Sequence, residues 1–191
     1  MIGGASGVGK TSVSYRLARH YGVGITELDD FQIILERMTT PDQYPLVHFF
    51  PNHPEAWHRM REEEQLEFAI GFAELMATAL EPVIANHLRS GPPIVLEGDF
   101  LPPSLAAQPA YAGVPAAGRV KTIILYEADE EQIARNFRAR EGQDQPERAR
   151  SCWCYSEWLR QEARQLGVPA VPARPWDTVF ERIIALLESG D

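Results

Sequence analysis

The sequence is short of cysteine, lysine and long apolar runs, and each shortage removes a class of explanation. Only two of its 191 residues are cysteines, Cys152 and Cys154. Spaced C-x-C, they match neither a C-x-x-C redox pair nor a four-ligand zinc pattern, so they read as reduced thiols of a cytoplasmic protein. Among eighteen basic residues only Lys10 and Lys121 are lysines, and the formal net charge of -9 leaves no general basic face for a nucleic acid or a membrane surface. Any anionic ligand must then be held by a local cluster. The longest apolar stretch, 69–88, is broken by Glu74, Glu81, Pro82 and Asn86 and is not an uninterrupted membrane span. The start carries no basic segment followed by an apolar core, so secretion is not expected. What remains, at 45% hydrophobic and 24% charged, is the composition of one soluble globular domain over 1–191.

Short apolar runs alternate with longer stretches of helical periodicity, the pattern of βα units around a parallel sheet. Helices are predicted over 10–21, 31–38, 56–89, about 130–142, 146–166 and 177–187, with Pro82 kinking or splitting the long one. Strands are predicted over 23–28, 94–96, 120–126 and 170–171, and Asp129-x-x-Gln132 reads as a capping box. The Pro- and Ala-rich stretch 100–118 reads as a surface connection.

Gly4-Ala5-Ser6-Gly7-Val8-Gly9-Lys10-Thr11 matches G-x-x-x-x-G-K-[ST] in full, between an apolar residue and a helix. Glycines let backbone N–H groups turn inward around phosphate oxygens, and the helix N-terminus adds the positive end of its dipole. In such a loop Lys10 reaches the β and γ phosphates, Thr11 places its hydroxyl on Mg²⁺, and Ser12 is within reach of the α phosphate. The remaining sequence excludes some users of such a loop. No N-K-x-D or T-K-x-D motif follows, and the strand ending Leu96-Glu97-Gly98 lacks the Asp-Glu terminus and the following lid domain of a motor ATPase.

On these residues the chain resembles the small P-loop kinases related to nucleoside monophosphate kinases. It is most similar to 2-phosphoglycerate kinases, through Gly3 to Thr11 and the apolar strand ending Glu97-Gly98; chloramphenicol-phosphotransferase-like and zeta-toxin-like kinases are comparable relatives. The resemblance implies an α/β fold, the three-layer α/β/α P-loop NTPase arrangement with a five-stranded parallel sheet. It also implies ATP and Mg²⁺ as cofactors, an Arg-bearing lid at about 135–150 and an acceptor-side insertion at about 31–61.

Phosphoryl transfer to an alcohol needs a carboxylate beside the acceptor hydroxyl. Uridine and nicotinamide riboside kinases resemble this chain at Asp29-Asp30-Phe31, which gives Asp29 that role and leaves Asp30 a metal-shell or helix-capping one; capping of the following helix is the bland reading of both. Glu97 ends a buried strand, where it is expected to support the metal, directly or through water, or to orient the acceptor, with Asp99 a weaker candidate for binding it. Arg135, Arg138, Arg140, Arg148 and Arg150 crowd one segment. Arg138 and Arg140 are the first candidates for neutralising the transferring phosphoryl group, Arg135 and Arg148 the next, while the acids among them equally suit a solvated, ion-paired helix face. In this kinase group the loop after the last strand flanks adenine, and Arg174 could stack there; Trp176 reads as a core or helix-start residue. His48, His53 and His58 recur every five residues but are separated by Pro51 and Pro54, so they read as a surface loop and not as a metal site.

The reading is an ATP-dependent kinase of a small-molecule hydroxyl. A nucleotide-responsive switch that transfers nothing, or a toxin-like kinase of nucleotide sugars, is the alternative. One oddity remains: only Met1 and Ile2 precede the glycines where this fold wants a full central strand, and the natural start is expected to lie several residues upstream.

Overall fold

The computed structural model describes residues 1–53 and 55–189; Pro54, named above, lies outside them. A five-stranded parallel sheet is built from β1 (Ile2–Gly3), β2 (Gly24–Glu27), β3 (Ile94–Gly98), β4 (Ile123–Tyr126) and β5 (Ala170–Pro172), in the order β2-β3-β1-β4-β5. The principal helices are α1 (Lys10–Tyr21), α2 (Leu28–Met38), α3 (Glu62–Ser90), α4 (Glu130–Glu141), α5 (Pro146–Leu166) and α6 (Val179–Glu188). The order reverses direction at β1, so the crevice above its C-terminal end is where such a sheet collects ligands.

The core explains the element pattern. Val13 and Leu17 of α1, Ile123 to Leu125 of β4, Phe137 of α4, Leu159 of α5 and Ile183 of α6 are all buried in one cluster. Leu80, Ile84 and Ala85 of α3 meet Leu28, Leu96 and Tyr111 in a second. A third gathers Val47, Phe68, Phe72 and Met76, with Phe31, Phe49, Phe50, Trp57 and Phe100 against it, and roofs the acceptor side over α3. α3 is long and apolar enough to cross a bilayer by composition alone, but its apolar face serves these clusters.

Several local expectations are corrected. α2 begins at Leu28, three residues earlier than predicted, and α3 begins at Glu62 after a single 3₁₀ turn at Trp57–Arg59. Pro82 neither splits α3 nor ends it, because Pro82 and Thr78, whose carbonyl loses its helical donor, both lie on the exposed side, open to water. Asp129 caps α4 by accepting from the Glu131 N–H (3.0 Å), but Gln132 turns to Asn136 and Arg135 and completes no box. The stretch 100–118 contains a short helix, Pro103–Ala106, and an antiparallel ribbon pairing Ala110–Tyr111 with Val114–Pro115. Pro51 sits inside a short helix, Phe49–Asn52, at a first-turn position that needs no N–H donor.

β1 occupies the centre of the sheet with two residues, Ile2 opposite Glu97 and Ile123, Gly3 opposite Gly98 and Ile124. The Met1 amino group is buried, donates to the Lys121 carbonyl (2.5 Å) and is pushed down to about 5 by desolvation. Beside it an apolar cavity of about 880 Å³ runs between Gly91 to Leu96 and Ala117 to Lys121, floored by Leu17 and Leu187.

Candidate active site

The loop between β1 and α1 is shaped by what its glycines touch. Gly4 (φ 154) lies so close to the Leu125 carbonyl that no Cβ fits there. Gly7 (φ 85) lies under Ile133 and Phe137 of α4, with a Cβ position 2.9 Å from the Ile133 side chain, and Gly9 (φ 95) lies under the Trp176 ring, 2.5 Å from it by the same measure. All three also hold a left-handed or related conformation that L side chains resist. Ala5 and Val8 are buried and anchor the loop to the core. Asn136 donates to the Gly7 carbonyl (2.7 Å), fixing one peptide of the loop. α1 starts at Lys10 with Gly9 as its cap, no side chain closing its first turn and no acid within it. Its N-terminal N–H groups and dipole are therefore free for an anion.

Lys10 is buried, and its ammonium is paired with Asp99, just beyond β3. Burial opposes its charge, but the attraction of Asp99, Glu97 and Asp29 prevails and holds its pKa above the ordinary lysine value. Burial raises the pKa of the Asp29 carboxyl; Asp99, Glu27 and Asp30 push the same way and Lys10 partly offsets them. Glu97 is only 2% exposed, its Oε2 has no partner, and its pKa is raised first by burial, against the pull of Lys10 and the Thr11 hydroxyl. Four of the predicted residues, Lys10, Thr11, Asp29 and Glu97, thus converge at the adjoining ends of β1, β2 and β3. Asp29 and Asp30 lie within the first turn of α2, whose cap position is Glu27, so neither caps the helix.

The arginines are differently placed. Residues 135–141 of the segment expected as a lid are part of α4, whose Ile133 and Phe137 are fully buried and pack on Gly7 of the phosphate loop. Arg135 pairs with Asp129 and Glu131, Arg138 with Asp144, and Arg140 and Arg148 with Glu141. Arg140 and Arg148 also stand over the Phe137 ring, at 5.2 and 4.4 Å. Their charges reach the half-buried Cys152, which also feels Lys10 and whose pKa is pushed up to about 12 by desolvation and by Asp99. Arg150 leaves the cluster to bridge Glu62 and Glu130. His48 contacts Thr39 and His58 pairs with Glu147; among the described residues no histidine joins a metal-binding group.

Arg174 follows β5 and donates from Nε to the buried carboxylate of Glu127 (3.2 Å), with its guanidinium 5.7 Å from the centre of the Trp176 ring. Sequence reasoning missed Glu127 and Asn136 and undervalued Asp99. Glu127 carries the signal that singled out Glu97, an acid just past an apolar strand; nothing local marks Asn136.

A five-stranded parallel sheet in this order, with a glycine loop leading from its central strand into a helix, has close company among solved structures. Shikimate kinase from Acinetobacter baumannii in complex with shikimate superposes with a TM-score of 0.59 at 14% identity, covering 100% of this chain and 92% of that one. A gluconokinase from Sinorhizobium meliloti 1021 gives 0.52 at 18%, covering 98% and 90%. The chain shares the α/β fold of these two kinases, a five-stranded parallel sheet with flanking helices. No family model matches the chain. In sequence it is similar to archaeal proteins named 2-phosphoglycerate kinase: 28% identical to that of Methanocaldococcus jannaschii over 109 residues, 55% of this chain and 35% of that one. The Methanococcus maripaludis C6 protein is 26% identical over 150 residues, 73% of this chain and 46% of that one. The chain thus spans about a third to a half of the length of these curated relatives.

Proposed function

We propose that this protein transfers the γ-phosphoryl group of ATP to a hydroxyl of a small molecule. The observation that carries the reading is the convergence of a cationic Lys10, at the open N-terminus of α1, with the carboxylates of Asp29, Glu97 and Asp99. One group of residues suits a polyphosphate, the other a hydroxyl that must lose its proton, and they meet at one point.

In this reading the backbone of Gly4 to Thr11 and the side chains of Lys10, Thr11 and Ser12 hold the triphosphate. Thr11 and Glu97 offer hard oxygen donors, and the orphaned Oε2 of Glu97 is a group that a cation would satisfy, so the pair fits Mg²⁺. The bound ion would neutralise phosphate charge. Asp29 aligns the acceptor hydroxyl and takes its proton as the new P–O bond forms; its raised pKa, from burial and neighbouring acids, makes it a stronger base than an ordinary aspartate. Arg135, Arg138, Arg140 and Arg148 exchange their acidic partners for phosphoryl oxygens, and Arg174 faces the base of the nucleotide. The acceptors to try first are 2-phosphoglycerate, after the named relatives in sequence, and then gluconate and shikimate, after the kinases that share the fold.

The test is ADP release from ATP and Mg²⁺ against a panel of phosphorylated acids, sugar acids, nucleosides and aminoglycoside-like alcohols. Stimulation of the wild type by one acceptor class, lost in Lys10→Ala with the melting transition retained, is the expected result. Slow hydrolysis that no acceptor stimulates and that Asp29→Asn leaves unchanged would instead identify a nucleotide switch.

A further inference from the structure

Glu127 is a carboxylate buried to 2% exposure outside the catalytic cluster, and one of its two oxygens is engaged by an arginine. Its Oε1 accepts from the Asp129 N–H (3.3 Å), its Oε2 accepts from Arg174 Nε (3.2 Å), and its own N–H donates to the buried Ser156 hydroxyl (3.2 Å). The Ala173 N–H donates to the Tyr126 carbonyl (2.7 Å), so the strand ends on both sides of the pair are tied at the backbone as well. The loop that follows is braced by Arg182, which donates to the Pro172 and Pro175 carbonyls at 2.9 and 3.0 Å. Arg174 itself is not buried: its side chain is 40% exposed, over Trp176, and the Trp176 ring rests on Gly9 of the phosphate loop.

A tether between two loops would not need this chemistry. Burying a carboxylate costs several kcal/mol and a buried pair is often no more stabilising than apolar side chains of the same size. What an acid on Nε does achieve is to fix the plane of a guanidinium while leaving its outer edge and face open. The position of that plane is informative. The acceptor-side acids stand at β2 and β3, on one side of the phosphate loop, and the Lys10 side chain points to them. A nucleotide whose terminal phosphate lies at Lys10 must extend its nucleoside toward the other side, past β4 and β5, where Arg174 and Trp176 sit beside Gly9.

We propose that Glu127 is a positioning residue of the nucleotide site: its carboxylate holds the Arg174 guanidinium over Trp176 as a flat cationic plate on which the nucleotide base stacks. The inference rests on the kinase reading above and adds to it how the base, as distinct from the phosphates, is recognised.

Glu127→Gln preserves shape and can keep its carbonyl on the Asp129 N–H, but presents an NH₂ group to Arg174 Nε and so breaks only that link. Binding of ATP and of inorganic tripolyphosphate, each with Mg²⁺, is measured by titration calorimetry for the wild type, Glu127→Gln, Arg174→Ala and the double variant. The expected result is an affinity for ATP reduced about tenfold in each single variant and no further in the double one, with tripolyphosphate affinity unchanged. Should Glu127→Gln not fold, Arg174→Lys, which retains the charge and loses the plate, is expected to show the same selective loss. Equal losses for ATP and tripolyphosphate would make Glu127 a structural residue of the loop and overturn the proposal, as would unchanged ATP affinity in Glu127→Gln or in Arg174→Lys. A wild type that binds neither ligand would overturn the kinase reading itself, and this proposal with it.

Discussion

Replacing Glu97 by glutamine should stabilise the ligand-free protein while damaging its activity. Glu97 is 2% exposed, has one carboxylate oxygen without a partner, and shares the nearby cation Lys10 with Asp99, which contacts that cation directly, and with Asp29. Leaving a buried polar group unsatisfied costs about 1–3 kcal/mol, more when it is charged. The neutral isostere, losing the charge but also part of the attraction to Lys10, should recover about 1–2 kcal/mol. For a chain of this size each kcal/mol moves the melting temperature by about 2–4 °C, so a rise of about 2–8 °C is expected at neutral pH. The pH dependence identifies the cause. Burial raises the folded-state pKa of Glu97, so the folded protein holds the proton to higher pH than the unfolded chain, and stability falls as pH rises through the window between the two values. Below the ordinary glutamate value both states are protonated and the advantage of Glu97→Gln should vanish; above the raised value it should be constant. Thermal unfolding of both proteins from pH 4 to pH 8, followed by circular dichroism, reads this directly. In the same variant kcat with Mg²⁺ and ATP should fall about 10- to 100-fold, the usual loss for a group that supports a metal. A lower melting temperature at pH 7, or a gain of equal size at pH 4 and pH 8, would refute the account of Glu97 as an unpaired charge kept for function.

Asp29→Asn should lower kcat by about 10²- to 10⁴-fold, the range of a lost general base, while Kd for ATP by calorimetry stays within about twofold; a parallel loss of ATP affinity would place Asp29 in the nucleotide site. Gly9→Ala meets both the Trp176 ring and a φ of 95°, so it should cost about 1–3 kcal/mol in chemical denaturation and abolish ATP binding. Gly24→Ala, where nothing lies within 4 Å of a Cβ, should leave ATP binding unchanged in the same titration.

The parts of the fold that were legible in the sequence are those whose signal is local. α1, α4 and α5 follow from periodicity and end at Gly22, Gly142 and Gly167, each in a left-handed conformation that glycine adopts freely. The phosphate loop was legible because G-x-x-x-x-G-K-[ST] is a contiguous signal, although the contacts that crowd its glycines, from the Leu125 carbonyl, Phe137 and Trp176, come from three separate elements. Where tertiary contacts decide, sequence reasoning failed. Pro82 was expected to kink or split α3; the helix runs through it unsplit, and only the burial pattern shows that its lost hydrogen bond faces water. Asn136 donates to Gly7 across 129 residues, a contact that nothing in its own helix, Glu130–Glu141, signals. Asp99 was judged secondary to Glu97 because it lies beyond the strand, yet that extra reach is what lets it meet Lys10.

The arginine cluster was open to two readings, a phosphate clamp or an ion-paired helix face, and the pairing pattern makes them compatible. Arg135, Arg138, Arg140 and Arg148 all have exposed partners, and exposed pairs contribute about 0–1 kcal/mol each. Such pairs satisfy the ligand-free chain and can be given up for phosphoryl oxygens at little cost. Glu141 holds two of these arginines, Arg140 and Arg148, with its pKa drawn down to about 2 by Gln145 and the arginines, so releasing one acid frees two guanidinium groups together. The pairs Lys10–Asp99 and Arg174–Glu127 differ in having one member nearly closed to water, where separation leaves a buried charge alone. The described ion pairs therefore divide by burial: Lys10–Asp99 and Arg174–Glu127 each keep one member nearly closed to water, and in the proposed kinase the exposed arginine pairs are the ones that exchange their acids for phosphoryl oxygens.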